Sequence, residues 1–137
     1  MLGKTNHIHF VGIGGIGMSG MAELLHNLGF TITGSDLCES ERTNQLKNIG
    51  IDVKIGHKSS KVIDSDVLVY SSAVKKNNQE ILIANNNNIP VIRRAEMLGE
   101  LLKVKSTSIA IAGTHGKTTT SSMLGSILVE EKLDPTL

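Results

Sequence analysis

Aromatic side chains are nearly missing from this 137-residue chain, which has no Trp, one Tyr and two Phe. Its core must therefore be aliphatic, and it has no row of rings on which nucleic-acid bases could stack. Cysteine occurs once, as Cys38. That excludes an intrachain disulfide and fits a reducing compartment, with an inert thiol rather than a catalytic one. An excess of one charge is missing too: 14 Lys and Arg against 13 Asp and Glu leave a net +1, no electrostatic footprint for nucleic acid. No apolar run approaches the ~20 residues of a membrane-spanning helix. The opening Met1-Leu2-Gly3-Lys4-Thr5-Asn6 lacks an apolar stretch of signal-peptide length. A cytoplasmic protein with neither membrane nor nucleic acid as partner is expected.

Glycine, by contrast, is plentiful at 14 residues, and two groups of it follow apolar runs. The more telling is Gly113-Thr114-His115-Gly116-Lys117-Thr118-Thr119-Thr120, after Ile109-Ala110-Ile111-Ala112. A strand, a glycine loop and a Lys-Thr pair opening a helix is the arrangement that holds nucleoside triphosphates. Loop amides and the helix N-terminus face the phosphates, Lys117 adds a full positive charge, and the Thr118 hydroxyl is placed to ligate magnesium. The strict pattern G-x-x-x-x-G-K-[ST] fails at its first glycine, because position 111 is Ile. A turn that merely joins a strand to a helix is the competing reading. The stripe Met123, Leu124, Ile127, Leu128 after the loop argues for the full motif.

The second group, Gly12-Ile13-Gly14-Gly15-Ile16-Gly17, follows the short strand pattern His7-Ile8-His9-Phe10-Val11. It satisfies the G-x-G-x-x-G dinucleotide fingerprint, and Asp36 lies 19 residues beyond Gly17. Taken alone, this points to NAD with Asp36 on a ribose hydroxyl, or to a tight turn that binds nothing. The second loop changes the weighing. A dehydrogenase has no use for it, whereas a ligase that joins a nucleotide-linked substrate to something else with ATP uses both.

The rest of the chain alternates strands and helices. Met18, Met21, Leu24, Leu25 and Leu28 share a helix face closed by Gly29, and a strand at Phe30–Thr33 ends in Gly34-Ser35-Asp36. A helix over Glu41–Asn48 closed by Gly50, strands at Asp52–Ile55 and Val67–Tyr70, a helix over Gln79–Asn86 and a strand at Ile89–Ile92 follow. The last helix of this unit would bury Ala95, Leu98, Leu101 and Leu102 on one face. This spacing predicts an α/β fold with a Rossmann-like, doubly wound parallel sheet. Lys103-Val104-Lys105-Ser106 is the candidate linker. It would separate a first unit at 1–105 from a strand, glycine loop and helix at 106–137, which the resemblance described next implies are a substrate-binding domain and the start of a truncated P-loop ATPase domain.

In order along the chain, His9-Phe10-Val11-Gly12-Ile13-Gly14-Gly15-Ile16-Gly17-Met18-Ser19-Gly20-Met21-Ala22, Gly34-Ser35-Asp36, Ser71-Ser72-Ala73, Arg94-Ala95-Glu96-Met97-Leu98 and the 113–120 loop resemble the motifs of the Mur ligases. The resemblance covers essentially the whole chain. It implies a Rossmann-like domain for a UDP-linked substrate, then a central ATPase domain and an amino-acid domain, of which this chain would hold the first and the start of the second. It also implies peptidoglycan precursor synthesis: ATP phosphorylates the carboxylate of UDP-N-acetylmuramate, and the amine of L-alanine attacks the acyl phosphate.

By the same resemblance, Gly14, Gly15, Ile16, Gly17, Met18 and Ser19 would hold the UDP diphosphate, with Asp36, Ser71 and Ser72 on the uridine-ribose side. ATP would lie against Gly113, Thr114, His115, Gly116, Lys117, Thr118 and Thr119, with Lys117 catalytic and Thr118 on Mg2+. His115 is either a ligand contact or a solvent-facing loop residue. Further magnesium ligands and the L-alanine site would lie beyond Leu137, so the chain alone is expected to be inactive. Its last apolar stripe would then be covered by a second copy if ordered. A muropeptide-recycling ligase, an NAD(P)-binding protein and a non-catalytic binding module are the alternatives. The remaining histidines form no metal set: His7 and His9 alternate on a strand without ligand-spaced partners, His26 falls on a polar helix face, and His57 is either a loop residue or a substrate contact.

Overall fold

Strand β1 (His7–Val11) is buried at four of its five residues, the pattern of a central parallel strand covered on both faces. The computed structural model describes residues 2–58 and 60–136. In it β1 pairs on one side with β2 (Thr31–Asp36) and on the other with β4 (Val67–Tyr70), so that Ile8 stands opposite both Ile32 and Val67. β3 (Asp52–Ile55) joins β2 and β5 (Val91–Arg93) joins β4, all parallel, in the order β3-β2-β1-β4-β5. The strand order reverses between β1 and β4. At that point the loops after both strands diverge and open a crevice at the carboxyl end of the sheet.

Helices cover both faces, as βαβ crossovers require. α1 (Ile16–Asn27), α2 (Glu41–Asn48) and α4 (Arg94–Leu102) supply one core, in which Met18, Leu25, Leu46 and Met97 pack with Ile8, Phe10 and Val67. α3 (Gln79–Asn86) closes the smaller core on the other face, where Ile81 and Ala84 meet Val11, Val62 and Leu68. Local chemistry sets the ends. Ser40 and Thr43 cap α2 reciprocally, Thr43 N donating to Ser40 Oγ at 3.2 Å and Ser40 N to Thr43 Oγ1 at 2.8 Å. Asn78 Oδ1 caps α3 by accepting from Glu80 N at 2.9 Å. Gly29 and Gly50, both with φ +97°, end α1 and α2.

Three expectations need correction. On α4 the buried residues are Met97 and Leu101, while Ala95, Leu98 and Leu102 face outward. A nine-residue helix lying on a sheet edge can bury only a narrow i, i+4 stripe. Leu28 is the C-cap of α1 and is 38% exposed, so the buried face of that helix ends at Leu25. The third correction lies in the second loop's unit: Ile109–Ala112 forms no strand. A parallel strand exists only through a ladder with a neighbour, and residues 105–136 contain no other strand.

The chain divides into two units, Met1–Val104 and Lys105–Leu137. Within the second, the only helix among the described residues is α5 (Lys117–Glu130). Gly125 is its one buried residue, and Met123 and Ile127 are more than half exposed. No helix among the described residues is long and apolar enough to cross a membrane.

Candidate functional site

The loop after β1 is built as a backbone turn that only glycine permits. Gly12 takes φ +81°, and both Gly12 N and Ile13 N donate to Ser35 O, at 2.8 and 3.0 Å. Ile13 is thereby folded down into the core, fully buried. It lies over Gly34, where a Cβ would stand 2.6 Å from Ile13 Cδ1 and 2.8 Å from Phe10 O. Gly34 thus leaves room for the loop to cross β2. Gly15, in extended conformation, caps α1 without a side-chain bond. The first free helical amides, those of Ile16, Gly17 and Met18, are donors with no intrahelical acceptor.

Asp36 ties this loop to β2. Its Oδ2 accepts from Gly14 N at 2.7 Å and its Oδ1 from its own neighbour Leu37 N at 2.8 Å. A Cβ on Gly14 would lie 2.8 Å from Asp36 Oδ2. The carboxylate therefore holds loop geometry, a structural duty additional to any contact with ribose.

At the β1/β4 switch point lies an open cleft of about 570 Å³, lined by residues that include Gly12, Gly14, Gly15, Asp36, Cys38, Arg42, His57, Ser71 and Lys75. Its size suits a nucleotide-scale ligand. Of the residues singled out in the sequence, the cleft gathers Gly14, Gly15, Asp36 and Ser71, together with His57, which the sequence left as either a loop residue or a substrate contact. Ile16, Gly17, Met18, Ser19 and Ser72 lie outside its lining. Ile16 is 75% exposed, and the Met18 side chain belongs to the core, so each can offer a ligand little beyond its amide. Ser19 N is committed to Gly15 O at 2.8 Å as a helical hydrogen bond. Cys38 is an exposed free thiol.

Three contributors were not picked out from the sequence as ligand contacts. Arg42 and Lys75 bring two positive charges to the cleft. Arg94, at the start of α4, sends its guanidinium to the N-terminal turn of α1, where a Cβ on Gly17 would come within 2.1 Å of Arg94 Nη1. A cation beside the positive end of a helix dipole repels it unless an anion sits between them. Arg94 belongs to the quoted Arg94–Leu98 motif, so a signal was present, but spacing along a chain does not reveal which loop an arginine crosses. His26, on the polar face of α1, is structural: its Nε2 meets Ile49 O at 2.9 Å.

Gly113 (φ +154°) and Gly116 (φ +75°) turn the backbone into α5, with Gly116 as N-cap and Lys117 as the first helical residue. Lys117 Nζ donates to Gly113 O at 2.6 Å, which sets the ammonium across the loop. Thr118 and Thr119 fall in the first turn, beside the free amides. His115 Nδ1 lies 3.1 Å from Thr114 Oγ1. Among the described residues no group of three His, Cys, Asp or Glu side chains could hold a metal. A single hydroxyl such as that of Thr118 is what a phosphate-borne magnesium takes from such a loop.

Comparison with known proteins bears on the family and the fold. The profile described as "Mur ligase family, catalytic domain" matches residues 7–106. A UDP-N-acetylmuramate–L-alanine ligase of Syntrophus aciditrophicus is 57% identical over 134 residues, covering 98% of this chain and 28% of that protein. Among solved structures, the UDP-N-acetylmuramate–alanine ligase of Thermotoga maritima superposes with a TM-score of 0.84 at 36% identity, over 92% of this chain and 30% of that one. The UDP-N-acetylmuramate:L-alanyl-gamma-D-glutamyl-meso-diaminopimelate ligase of Neisseria meningitides gives 0.79 at 34%, over 90% and 39%. The chain thus spans under a third of the length of the curated relative. With 100 residues matched, spanning the whole parallel sheet and the glycine loop after β1, this chain belongs to the Mur ligase family.

Proposed function

We propose that this chain is the N-terminal part of an ATP-dependent ligase that joins L-alanine to UDP-N-acetylmuramate in peptidoglycan precursor synthesis. The observation that carries the reading is the switch-point cleft. Its glycine loop approaches a ligand through backbone alone, Arg42 and Lys75 supply positive charge, and its one carboxylate, Asp36, is already occupied by two amides. That is a site for an anionic diphosphate. The free amides of Ile16, Gly17 and Met18, with Arg94 across them, would take its phosphates. Ser71 and Asp36 would face the ribose.

In the reaction, a carboxylate oxygen of the muramoyl group attacks the γ-phosphorus of ATP and ADP leaves. The amine of L-alanine then attacks the acyl carbon, and inorganic phosphate departs. Gly113–Thr119 would hold the ATP phosphates, Lys117 would neutralise charge on the transferring phosphoryl group, and Thr118 would ligate Mg2+. The cytoplasm, which supplies ATP, is the compartment for this chemistry. The 137-residue chain alone would bind without turnover, and the exposed Met123 and Ile127 of α5 are where two copies of it would pair. L-Alanine is preferred over a muropeptide because curated L-alanine ligases are 55–57% identical to the chain, and among solved structures the alanine ligase superposes better than the muropeptide ligase, with TM-scores of 0.84 and 0.79.

Thermal unfolding of the chain tests the reading against the NAD(P) alternative. UDP-N-acetylmuramate at a hundred times its Kd is expected to stabilise the fold by about 2.7 kcal/mol, with NADH giving no shift. Stabilisation by NADH alone would reverse the assignment.

A further inference from the structure

Beneath the cleft runs a set of polar side chains that phosphate binding does not use. Glu80, in the first turn of α3, is fully buried. Its Oε2 accepts a short hydrogen bond from the Ser35 hydroxyl. His57 Nδ1 lies 3.0 Å from Ser35 Oγ and 3.6 Å from Glu80 Oε2. On the far side, His9 Nε2 approaches Glu80 Oε1 at 3.6 Å, while His9 Nδ1 meets Thr33 Oγ1 at 2.7 Å. A carboxylate sealed from water is costly unless its neighbours donate to it. α3 begins here, on Asn78, and drives Glu80 inward at that cost.

The hydrogens can be counted. Ser35 has a single hydroxyl proton, and it goes to Glu80, which as a carboxylate only accepts. The contact between His57 Nδ1 and Ser35 Oγ therefore needs its proton on Nδ1. In a neutral imidazole that leaves a lone pair on Nε2. Nε2 has no hydrogen bond among the described residues, and His57, with a side chain 15% exposed, lines the cleft. Gly56 brings it there: with φ +95°, it donates from N to Asp36 O at 2.7 Å and turns the chain back over the end of β2.

We propose that His57 Nε2 is a specificity-determining hydrogen-bond acceptor for the nucleoside of the ligand, and that Ser35 and Glu80 are positioning residues that hold its tautomer. The chemistry it recognises is a neutral donor, either the ring N–H of uracil or a ribose hydroxyl. The proposal rests on the cleft being a uridine diphosphate site.

Calorimetric titration of the chain with UDP, N3-methyl-UDP, 2′,3′-dideoxy-UDP and pyrophosphate tests it. His57→Ala should weaken UDP about tenfold, the worth of one net hydrogen bond, and leave pyrophosphate unchanged. The analogue that lacks the donor should lose less affinity, relative to UDP, on His57→Ala than on the native chain, which names the donor. In 15N spectra, His57 should carry its proton on Nδ1, and Glu80→Gln should redistribute it and weaken UDP but not pyrophosphate. If Glu80→Gln does not unfold cooperatively, Ser35→Ala takes its place in both measurements. The proposal is overturned by equal UDP binding in His57→Ala, by an equal loss of pyrophosphate, by both analogues losing as much affinity on His57→Ala as on the native chain, or by a proton on Nε2. Failure of the native chain to bind UDP would overturn the reading of the cleft itself, and this proposal with it.

Discussion

Replacing Lys117 by Ala, in a ligase that carries this sequence at the length of its relatives, is expected to slow acyl-phosphate formation roughly a thousandfold. Binding of UDP-N-acetylmuramate should stay near normal. The ammonium lies across the 113–116 turn, 2.6 Å from Gly113 O, and has no carboxylate within ion-pair distance among the described residues. Its charge is therefore available to a phosphoryl group as negative charge moves from the γ- to the β-oxygens, where a fixed cation in a water-poor site counts most. The first glycine loop belongs to the other unit, on a sheet whose cores do not include residue 117. Single-turnover transfer from labelled ATP, beside a binding titration, separates the two effects. Normal transfer in Lys117→Ala would refute the role.

The two units should also differ in amide exchange by several orders of magnitude. β4 lies between two strands and is buried at three of its four residues, so its amides should open only with global unfolding, at about 5–15 kcal/mol. In the second unit, residues 109–112 have no ladder and α5 buries only Gly125. An isolated 14-residue helix is marginal in water, and opening there should cost close to nothing. In a monomeric sample of the chain, amides of 109–128 should exchange at least roughly a thousandfold faster than those of 67–70. Equal protection would contradict this account of the second unit.

Much of this was legible in the sequence, and for identifiable reasons. The doubly wound parallel sheet follows from strands and helices alternating along the chain, and Gly29 and Gly50 marked helix ends as glycines do, while the strand order β3-β2-β1-β4-β5 came only with the structure. The apolar run at 109–112 reads like a central strand because periodicity reports what a segment can pair as, not whether a partner is within reach. Ala95, Leu98 and Leu102 looked like a core stripe for a similar reason: helical spacing identifies a face without saying which face the sheet covers.

In the site, Gly14, Gly15, Asp36 and Ser71 were legible because glycine loops and strand ends carry local signatures. Glu80, Ser35 and His57 lie 22 to 45 positions apart and meet only when β2, β3 and α3 converge. A glutamate in the first turn of a helix reads as an ordinary solvent-facing charge, and nothing along the chain shows that α3 turns it inward.

The central claim, that the cleft at the β1/β4 switch point holds a uridine diphosphate ligand, is tested most directly by following backbone amides during titration with UDP-N-acetylmuramate. Saturable shifts are expected at Gly12–Met18, at Leu37 and at Ser71–Val74, with none at Gly113–Thr119. Shifts confined to Gly113–Thr119, or the same set produced by NADH and not by UDP-N-acetylmuramate, would contradict it.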